Sequence, residues 1–398
     1  MSMSRALAPL LAGSLLCPLA VAADEWSGYF SGELRHFTQA PLDPHQAGDD
    51  LAFAAQPEYY REWDDRRQSL TLSLFGRWDR EDKERRHLDI RELLWRKAAA
   101  DWELRAGIGK VFWGVTESQH LVDIINQTDL VENIDTEDKL GQPLLQLSLI
   151  RDWGTLELFA LPGFRERTFP GTQGRPRTQP RVDTALTTYE SPKKQRHVDY
   201  AARWSHYLGD WDIGLAYFRG TGREPTLQPA LTADGEPVLA PYYALIEQAS
   251  LDLQATLGDW LWKLEAIHRS GQGAAFSAAT GGFEYTLVGL FDSAWDLGLI
   301  GEYLWDERGA NAPVLFEDDL MLGARLTPND AQSTEILFGL ILDRGDRSRM
   351  FNLEASRRLG EAWKLSIEAR AFASIPTDSL FYGLRKDDYL QAELARYF

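Results

Sequence analysis

Between His197 and Gly220 the chain reads HVDYAARWSHYLGDWDIGLAYFRG, with its apolar positions spaced by two. Val198, Tyr200, Ala202 and Trp204 fall in one phase, Asp199, Ala201, Arg203 and Ser205 in the other. After Leu208, Gly209 and Asp210, a second run sets Trp211, Ile213, Leu215 and Tyr217 against Asp212, Gly214 and Ala216. Successive strand side chains point to opposite faces, so each run is a strand with one greasy face, and the tight turn joins the two as an antiparallel hairpin. The turn recurs: LGDW stands at Leu208–Trp211 and at Leu257–Trp260, LGEAW ends at Trp363, and AADW and DSAW end at Trp102 and Trp295. Indole rings favour the boundary between hydrocarbon and water, so a Trp placed after turn upon turn predicts one aromatic girdle of a membrane barrel. A soluble sandwich would bury such rings singly.

The same period runs along the rest of the chain. Trp26, Phe30 and Leu34 alternate with Tyr29, Ser31, Glu33 and Arg35; Leu70, Leu72, Leu74 and Trp78 alternate with Ser69, Thr71, Ser73 and Arg77. Leu88, Ile90 and Leu94 form the next apolar set, followed by Trp102, Leu104, Ala106 and Ile108, then Leu145, Leu147 and Leu149, then Leu156 and Leu158. Further hairpins centre on turns near 258, 293, 329 and 360, and Leu390, Ala392 and Leu394 lead to the terminal Phe398. Seventeen strands are clear, and Leu51–Glu62, a strand or an irregular segment, makes eighteen if it pairs. Single-chain bacterial barrels carry an even number of strands. The expected fold is therefore all-β: a single antiparallel transmembrane β-barrel of 18 strands, with 16 as the alternative, and with N- and C-termini periplasmic. Residues 24–398 form one barrel domain, with long loops at 110–141 and 163–196 that are extracellular or folded inward.

The first residues differ. Arg5, an apolar run from Ala6 to Leu19 and the small residues Ala20 to Ala23 form a signal peptide over 1–23, too short to span a bilayer. The only cysteine, Cys17, lies in it behind Leu16, where lipidation would require a small residue, so the exported chain holds no disulfide. The whole chain carries 60 acids and 42 bases, and loss of Arg5 leaves a net charge of −19, which argues against a nucleic-acid partner. No later stretch is apolar enough for a spanning helix. An exported chain that alternates throughout, without disulfide or spanning helix, belongs in the Gram-negative outer membrane, where a closed barrel pairs every backbone polar group.

Function is expected in the inward set, which includes Glu33, Arg77, Arg91, Glu103, Arg105, Asp199, Arg203, Asp252, Glu265, Arg269, Glu302, Arg325, Glu368 and Arg370. Ionised groups facing lipid near the midplane cost about 2–4 kcal/mol, so the interior is wet or holds a polar plug. Single acid–base pairs there brace the wall. Between Glu117 and Asp138 stand seven acids and no base; between Gly163 and His197 stand eight bases against three acids. If both loops dip inward, an acidic wall faces a basic one and sorts solutes by charge; if they stay outside, the basic loop grips lipopolysaccharide phosphates. Leu121, Val122, Ile124, Ile125, Leu130, Val131 and Ile134 favour packing of the first loop on the inner wall. The candidate constriction residues are Trp113, Glu117, Asp123, Asp129, Glu132 and Asp135. The candidate basic residues of loop and lumen are Arg105, Arg165, Arg167, Arg175, Arg177, Arg203, Arg269 and Arg325.

The segment from Gly107 through Trp113-Gly114, with Asp123 to Asp129 after it, resembles the glycine-rich strand and Trp-Gly, Asp/Asn loop of porin-like outer-membrane barrels, including alginate-export and related families. The resemblance covers about 35 residues and implies a substrate channel with this loop as its constriction. Likewise, the terminal Phe398 resembles the signal read by barrel-assembly machinery, with Arg396 interrupting the apolar alternation. No pair among the seven histidines has metal-ligand spacing, so no metal or other cofactor is expected, and the acids from Asp123 to Asp135 lack the calcium-loop spacing. His268 and Ser270 share a strand face, as in outer-membrane lipid hydrolases, but the following strand offers no Asn to orient them. The function expected is a porin-like channel, not an enzyme, for passive passage of small polar, anionic or amphipathic, solutes. The alternatives are a closed barrel serving a lipid or hydrophobic-cargo path or adhesion, favoured by inward Tyr29, Phe75, Phe159, Phe218 and Phe372, and, remotely, the lipid hydrolase.

Overall fold

The computed structural model describes residues 24–377, 379 and 381–398; the expected signal peptide and Cys17 lie outside the described residues. The period-two stretches become β1 (Asp24–Phe37), β2 (Asp49–Trp63), β3 (Gln68–Asp79), β4 (His87–Ala98), β5 (Trp102–Gly109), β6 (Gln142–Arg151) and β7 (Gly154–Pro162). Next come β8 (Thr188–Tyr189), β9 (Val198–Leu208), β10 (Trp211–Thr221), β11 (Thr226–Leu231), β12 (Pro237–Tyr243), β13 (Leu245–Leu257) and β14 (Trp260–Gly271). The last are β15 (Gly273–Leu287), β16 (Asp296–Asp306), β17 (Asp318–Thr327), β18 (Glu335–Asp343), β19 (Arg349–Leu359), β20 (Trp363–Ala373) and β21 (Tyr389–Tyr397). Eighteen of them form one sheet. Each pairs antiparallel with its neighbours, and β1 pairs with both β2 and β21, so the sheet closes on itself and leaves no edge. The remaining three, β8, β11 and β12, make a small sheet over one mouth.

The uncertain segment 51–62 is a full strand. Its apolar signal is weak because Pro57 and the polar Gln56 and Glu58 interrupt it, and the ladder to β3 skips from Ala55 to Glu58. Turns at one end of the barrel are short, such as 209–210 and 258–259, and the start of β1 and the end of β21 lie there, with Tyr29 opposite Tyr397. The long connections, 110–141, 163–197 and 374–388, sit at the other end.

The greasy face points outward. Phe30 (58%), Leu322 (53%) and Leu88 (90%) are among the large apolar residues left exposed, whereas Glu33, Arg91, Asp199, Glu265 and Glu302 are buried inside. An exterior of this kind requires hydrocarbon around it. Trp26, Trp211, Trp260, Trp295 and Trp363 ring the short-turn end, where Trp26 packs on Tyr59 at 5.0 Å and Trp260 on Trp262 at 5.6 Å. Phe53, Trp78, Tyr200 and Tyr303 form the second belt at the other end. Hydrocarbon between two aromatic belts is the exterior of a spanning barrel.

One strand departs from the expected phase. A bulge in β4 sets Ser73 opposite Glu92 but Leu74 opposite Ile90, so beyond it the faces exchange. Leu88 and Ile90 face outward as expected; Leu94 does not, and packs inside on the loop cluster while Leu93 takes the outer face. Opposite Leu94 stands Gly107 at φ 137°, where a side chain would strike the Leu93 carbonyl.

Candidate functional site

Both long loops fold into the lumen mouth. Loop 110–141 leaves β5 through a neck clasped by Asn126, whose amide donates to the carbonyls of Gly109 (2.9 Å) and Leu140 (2.8 Å) and whose oxygen accepts from Val111 N–H (2.8 Å). Trp113, Val122, Ile124 and Ile125 then join Leu144, Phe159, Leu161, Phe218, Ile246 and Ile267 of the inner wall in a dry core inside the barrel. The inward aromatics are therefore covered. Phe159 meets Trp113 edge-on, Phe218 lies under Arg223, and Phe75 lies beneath Arg77 and Arg91.

Two wall carboxylates hold the loop by its backbone. Glu265 on β14, fully buried, accepts the N–H groups of Val115 (2.7 Å), Thr116 (3.1 Å) and Val122 (3.2 Å). Glu302 on β16 accepts those of Glu117 (2.7 Å) and Ser118 (2.9 Å). His120 bridges Glu137 (3.0 Å) and Glu265 (3.5 Å); burial alone would lower its pKa, but the two carboxylates outweigh it and raise it to about 10.

Five of the loop's seven acids each meet a lysine or arginine. Glu117 pairs with Arg325 (2.7 Å), Asp123 with Lys139 (3.0 Å), Asp129 with Arg91 (2.6 Å), Glu132 with Arg77 (2.7 Å) and Asp135 with Arg370 (2.9 Å). Trp113 carries no charge partner of this kind but lies under Arg203, whose guanidinium is 5.4 Å from its ring. The acidic loop is thus fastened to a basic wall, a complementarity hidden from sequence because β3, β4, β17 and β20 are far apart along the chain.

The basic loop lies across the mouth above it. Arg165 reaches Asp89 (2.7 Å), Arg175 pairs with Asp387 (2.7 Å) and stacks on Phe37, and Arg177 pairs with Asp43 (2.8 Å). Lys193, Lys194 and Arg196 remain exposed. In the wall, Arg105 pairs with Glu103 (2.6 Å), Arg203 with Asp252 (2.5 Å) and Arg269 with Glu224 (2.6 Å). Arg167 differs: it reaches Gln127 Oε1 (3.3 Å), and among the described residues no carboxylate lies within 4.0 Å of it.

Between the two loops and the inner wall lies a cavity of about 650 Å³. Of the expected site residues, Glu117, Asp123, Asp135, Arg167, Arg177, Arg269 and Arg325 line it; Trp113, Asp129, Glu132, Arg105, Arg165, Arg175 and Arg203 stand away from it, bracing loop or wall. Arg223, Glu224 and Arg308 also line it and were not singled out, because they sit in connections where alternation gives no phase. Arg308 lies 3.5 Å over the Phe276 ring and pairs with Asp306 (2.6 Å), while Arg223 pairs with buried Asp199 (2.7 Å). Burial would raise Glu224, but Arg269 and Arg167 outweigh it and hold its pKa at about 2.

Two groups among the described residues bring three metal-ligand atoms within 4.8 Å: His87, Asp129 and Glu132, and Glu317, Asp319 and Asp343. In the first, Arg91 and Arg77 already occupy the carboxylates. In the second, Asp319 accepts the N–H groups of Glu317 (2.8 Å) and Asp318 (3.2 Å). On the outer face His268 meets Ser277 at 3.1 Å across the hairpin, and no Asn is among its hydrogen-bond partners.

No protein-family model and no curated protein sequence matches the chain. Solved structures do. The chain is similar to OccD3 (OpdP) of Pseudomonas aeruginosa, at 10% identity, with 95% of this chain and 93% of that one covered and a TM-score of 0.54. It is similar to OccK11 (OpdR) of the same organism, at 11% identity, 95% and 96% coverage and a TM-score of 0.52. It is also similar to Wzi of Escherichia coli, an outer membrane protein involved in group 1 capsule assembly and a carbohydrate-binding β-barrel, at 8% identity, 92% and 83% coverage and a TM-score of 0.52. The narrower resemblance to alginate-export barrels is not carried by these matches. What is shared at such identities is the fold: the chain is a closed antiparallel barrel of the kind found in Gram-negative outer membranes.

Proposed function

We propose that this barrel is a porin-like channel of the bacterial outer membrane, passing small polar solutes, anionic or amphipathic, down their gradients. In this reading residues 1–23 direct export and are removed, and the chain ends and Trp-flanked turns face the periplasm. The long loops face outward, with Lys193, Lys194 and Arg196 near lipopolysaccharide phosphates. Loop 110–141 is the constriction, its tie points Asp129, Glu132 and Asp135 fixing where it crosses the lumen. Glu117 and Arg325, with Lys263 (3.7 Å from Glu117) and Glu284 (3.5 Å from Arg325), form its narrow charged end.

The observation that carries this reading is the cavity of about 650 Å³ bordered by Arg167, Arg223, Arg269 and Arg308, of which Arg167 has no carboxylate within 4.0 Å among the described residues. Cations fixed in a confined space raise the local concentration of anions and exclude like charge. The test is reconstitution in planar bilayers under a potassium chloride gradient. Discrete conductance steps with a reversal potential on the chloride side are expected, moving toward zero in R167Q and R308Q. A folded barrel without steps, or one selecting potassium, overturns the proposal.

A further inference from the structure

The connection between β15 and β16 is out of scale with its neighbours. It runs over eight residues, 288–295, where the turns 209–210 and 258–259 at the same end of the barrel take two. Its sequence is Val-Gly-Leu-Phe-Asp-Ser-Ala-Trp, and two of its side chains stand bare: Val288 is 75% exposed and Phe291 90%. Neither belongs to the apolar clusters inside the barrel. Phe291 also holds φ at 55°, between Gly289 at 68° and Asp292 at 59°. For a bulky side chain that left-handed conformation is an outlier, and it persists only where the surroundings over-determine it.

Here they do. Within the turn, Leu290 N–H donates to the Trp295 carbonyl (2.7 Å), Trp295 N–H to Ser293 Oγ (3.0 Å), and Ser293 Oγ to the Leu290 carbonyl (2.6 Å). From its flanks, Asp296 accepts Gly289 N–H (2.9 Å), and Asn329 of the neighbouring turn donates to the Ala294 carbonyl (2.8 Å) and to Asp296 (2.8 Å). These bonds fix the backbone, and what the fixed turn holds out is an apolar pair. Water is a poor neighbour for it.

The lipid-facing exterior leads straight to this turn. Phe283, Tyr285 and Leu287 lie in the outward phase of β15, and Trp260 packs with Trp262, Phe283 and Tyr285 at 5.6, 5.1 and 4.6 Å. Trp295, 47% exposed, closes the turn on its other side within the girdle. Val288 and Phe291 therefore continue the apolar exterior one step beyond the girdle. From 288 to 296 the charged residues are Asp292 and Asp296, with no base, so attraction to lipid phosphate is not what draws the turn. Burial of apolar surface at the boundary of head groups and acyl chains is.

We propose that turn 288–295 is a foot planted in the membrane surface at the short-turn end. Val288 and Phe291 sit among the phospholipid head groups and set the depth at which the β15–β16 side of the barrel rides. The foot needs only the spanning exterior, whichever solutes the lumen passes.

The experiment is spin labelling of the chain without residues 1–23, which holds no cysteine, refolded in vesicles of zwitterionic phosphatidylcholine. F291C and V288C carry the label, with D259C as the water reference and L322C as the lipid reference, and relaxation by oxygen is compared with relaxation by a water-soluble nickel chelate. The ratio of oxygen to nickel accessibility at 288 and 291 is expected to exceed that at 259 at least threefold. Adding F291S to V288C should bring the ratio at 288 to within twofold of that at 259, while the barrel circular-dichroism spectrum is kept. Ratios at 288 and 291 less than threefold above that at 259 put the turn in water, open to a soluble protein, and overturn the proposal. Shielding from both reagents, the mark of contact with a second copy of the chain, overturns it as well. A label at 288 that F291S leaves unmoved removes Phe291 as the anchor.

Discussion

Glu265 shows what a single inward side chain does in this lumen. It lies on β14, on the polar face that alternation assigns, and it caps the N–H groups of Val115 and Thr116 in a loop about 150 residues away in sequence. Its face is readable from the period; its partners are not, because a strand's phase carries no information about what crosses the lumen. Replacing it by Ala leaves those donors buried and unmet, at about 1–3 kcal/mol each. E265A is therefore expected to free loop 110–141, seen as rapid protease cleavage between 113 and 122 in a barrel that is otherwise folded. His120 adds a pH dependence. Its folded pKa is raised to about 10, so its contribution is complete below its ordinary value near 6.5 and is lost as pH rises through about 10. Open-channel current is expected to hold steady from pH 6 to 9 and to become noisy or larger above pH 10, whereas H120A should show no such step. A change centred near pH 6.5 would contradict this assignment.

At the scale of the element, loop 110–141 was the most legible feature that is not a strand. Seven apolar residues in an acidic connection require a dry partner, and Val122, Ile124, Ile125 and Val131 are indeed buried. The bulge in β4 was not legible: Leu93 and Leu94 are both apolar, so either phase satisfies the pattern, and only the register against β3 reveals the exchange. The basic loop was half legible, since its charge stood out but its destinations, Asp43, Asp89 and Asp387, lie in three separate segments. Because Arg77, Arg91 and Arg370 share the loop acids with the wall carboxylates Glu33, Asp89 and Glu368, removal of the loop enlarges the pore and shifts the balance of charge on that wall toward the positive. Replacing residues 117–138 by a short Gly-Ser linker is expected to raise single-channel conductance several-fold and to shift the reversal potential further toward chloride. A larger conductance with the selectivity unchanged would mean that these arginines do not face the path.

The whole molecule rests on two constraints, an apolar exterior and a closed seam. Seventeen strands were countable from alternation and the eighteenth, β2, from the even number a single-chain barrel carries, and closure follows because hydrocarbon tolerates no unpaired edge. Leu322 lies midway along β17 and Leu88 at the mouth end of β4, so L322R should cost about 2–4 kcal/mol and L88R about 0–1 kcal/mol in denaturant unfolding from lipid vesicles. Equal costs would place the membrane elsewhere. The seam ends on Phe398, which stacks on Phe30 at 5.3 Å and donates its N–H to the Gly28 carbonyl at 3.1 Å. If the ring serves only to close the barrel, its loss removes one exposed aromatic pair, about 0.5–1.5 kcal/mol, from both folding in the test tube and assembly in the cell. If assembly machinery reads it, the two readouts separate. F398A is expected to unfold from vesicles at nearly the wild-type denaturant concentration, while the amount of barrel recovered in the outer membrane of cells falls several-fold. A parallel loss in both would reduce the terminal ring to a packing contact.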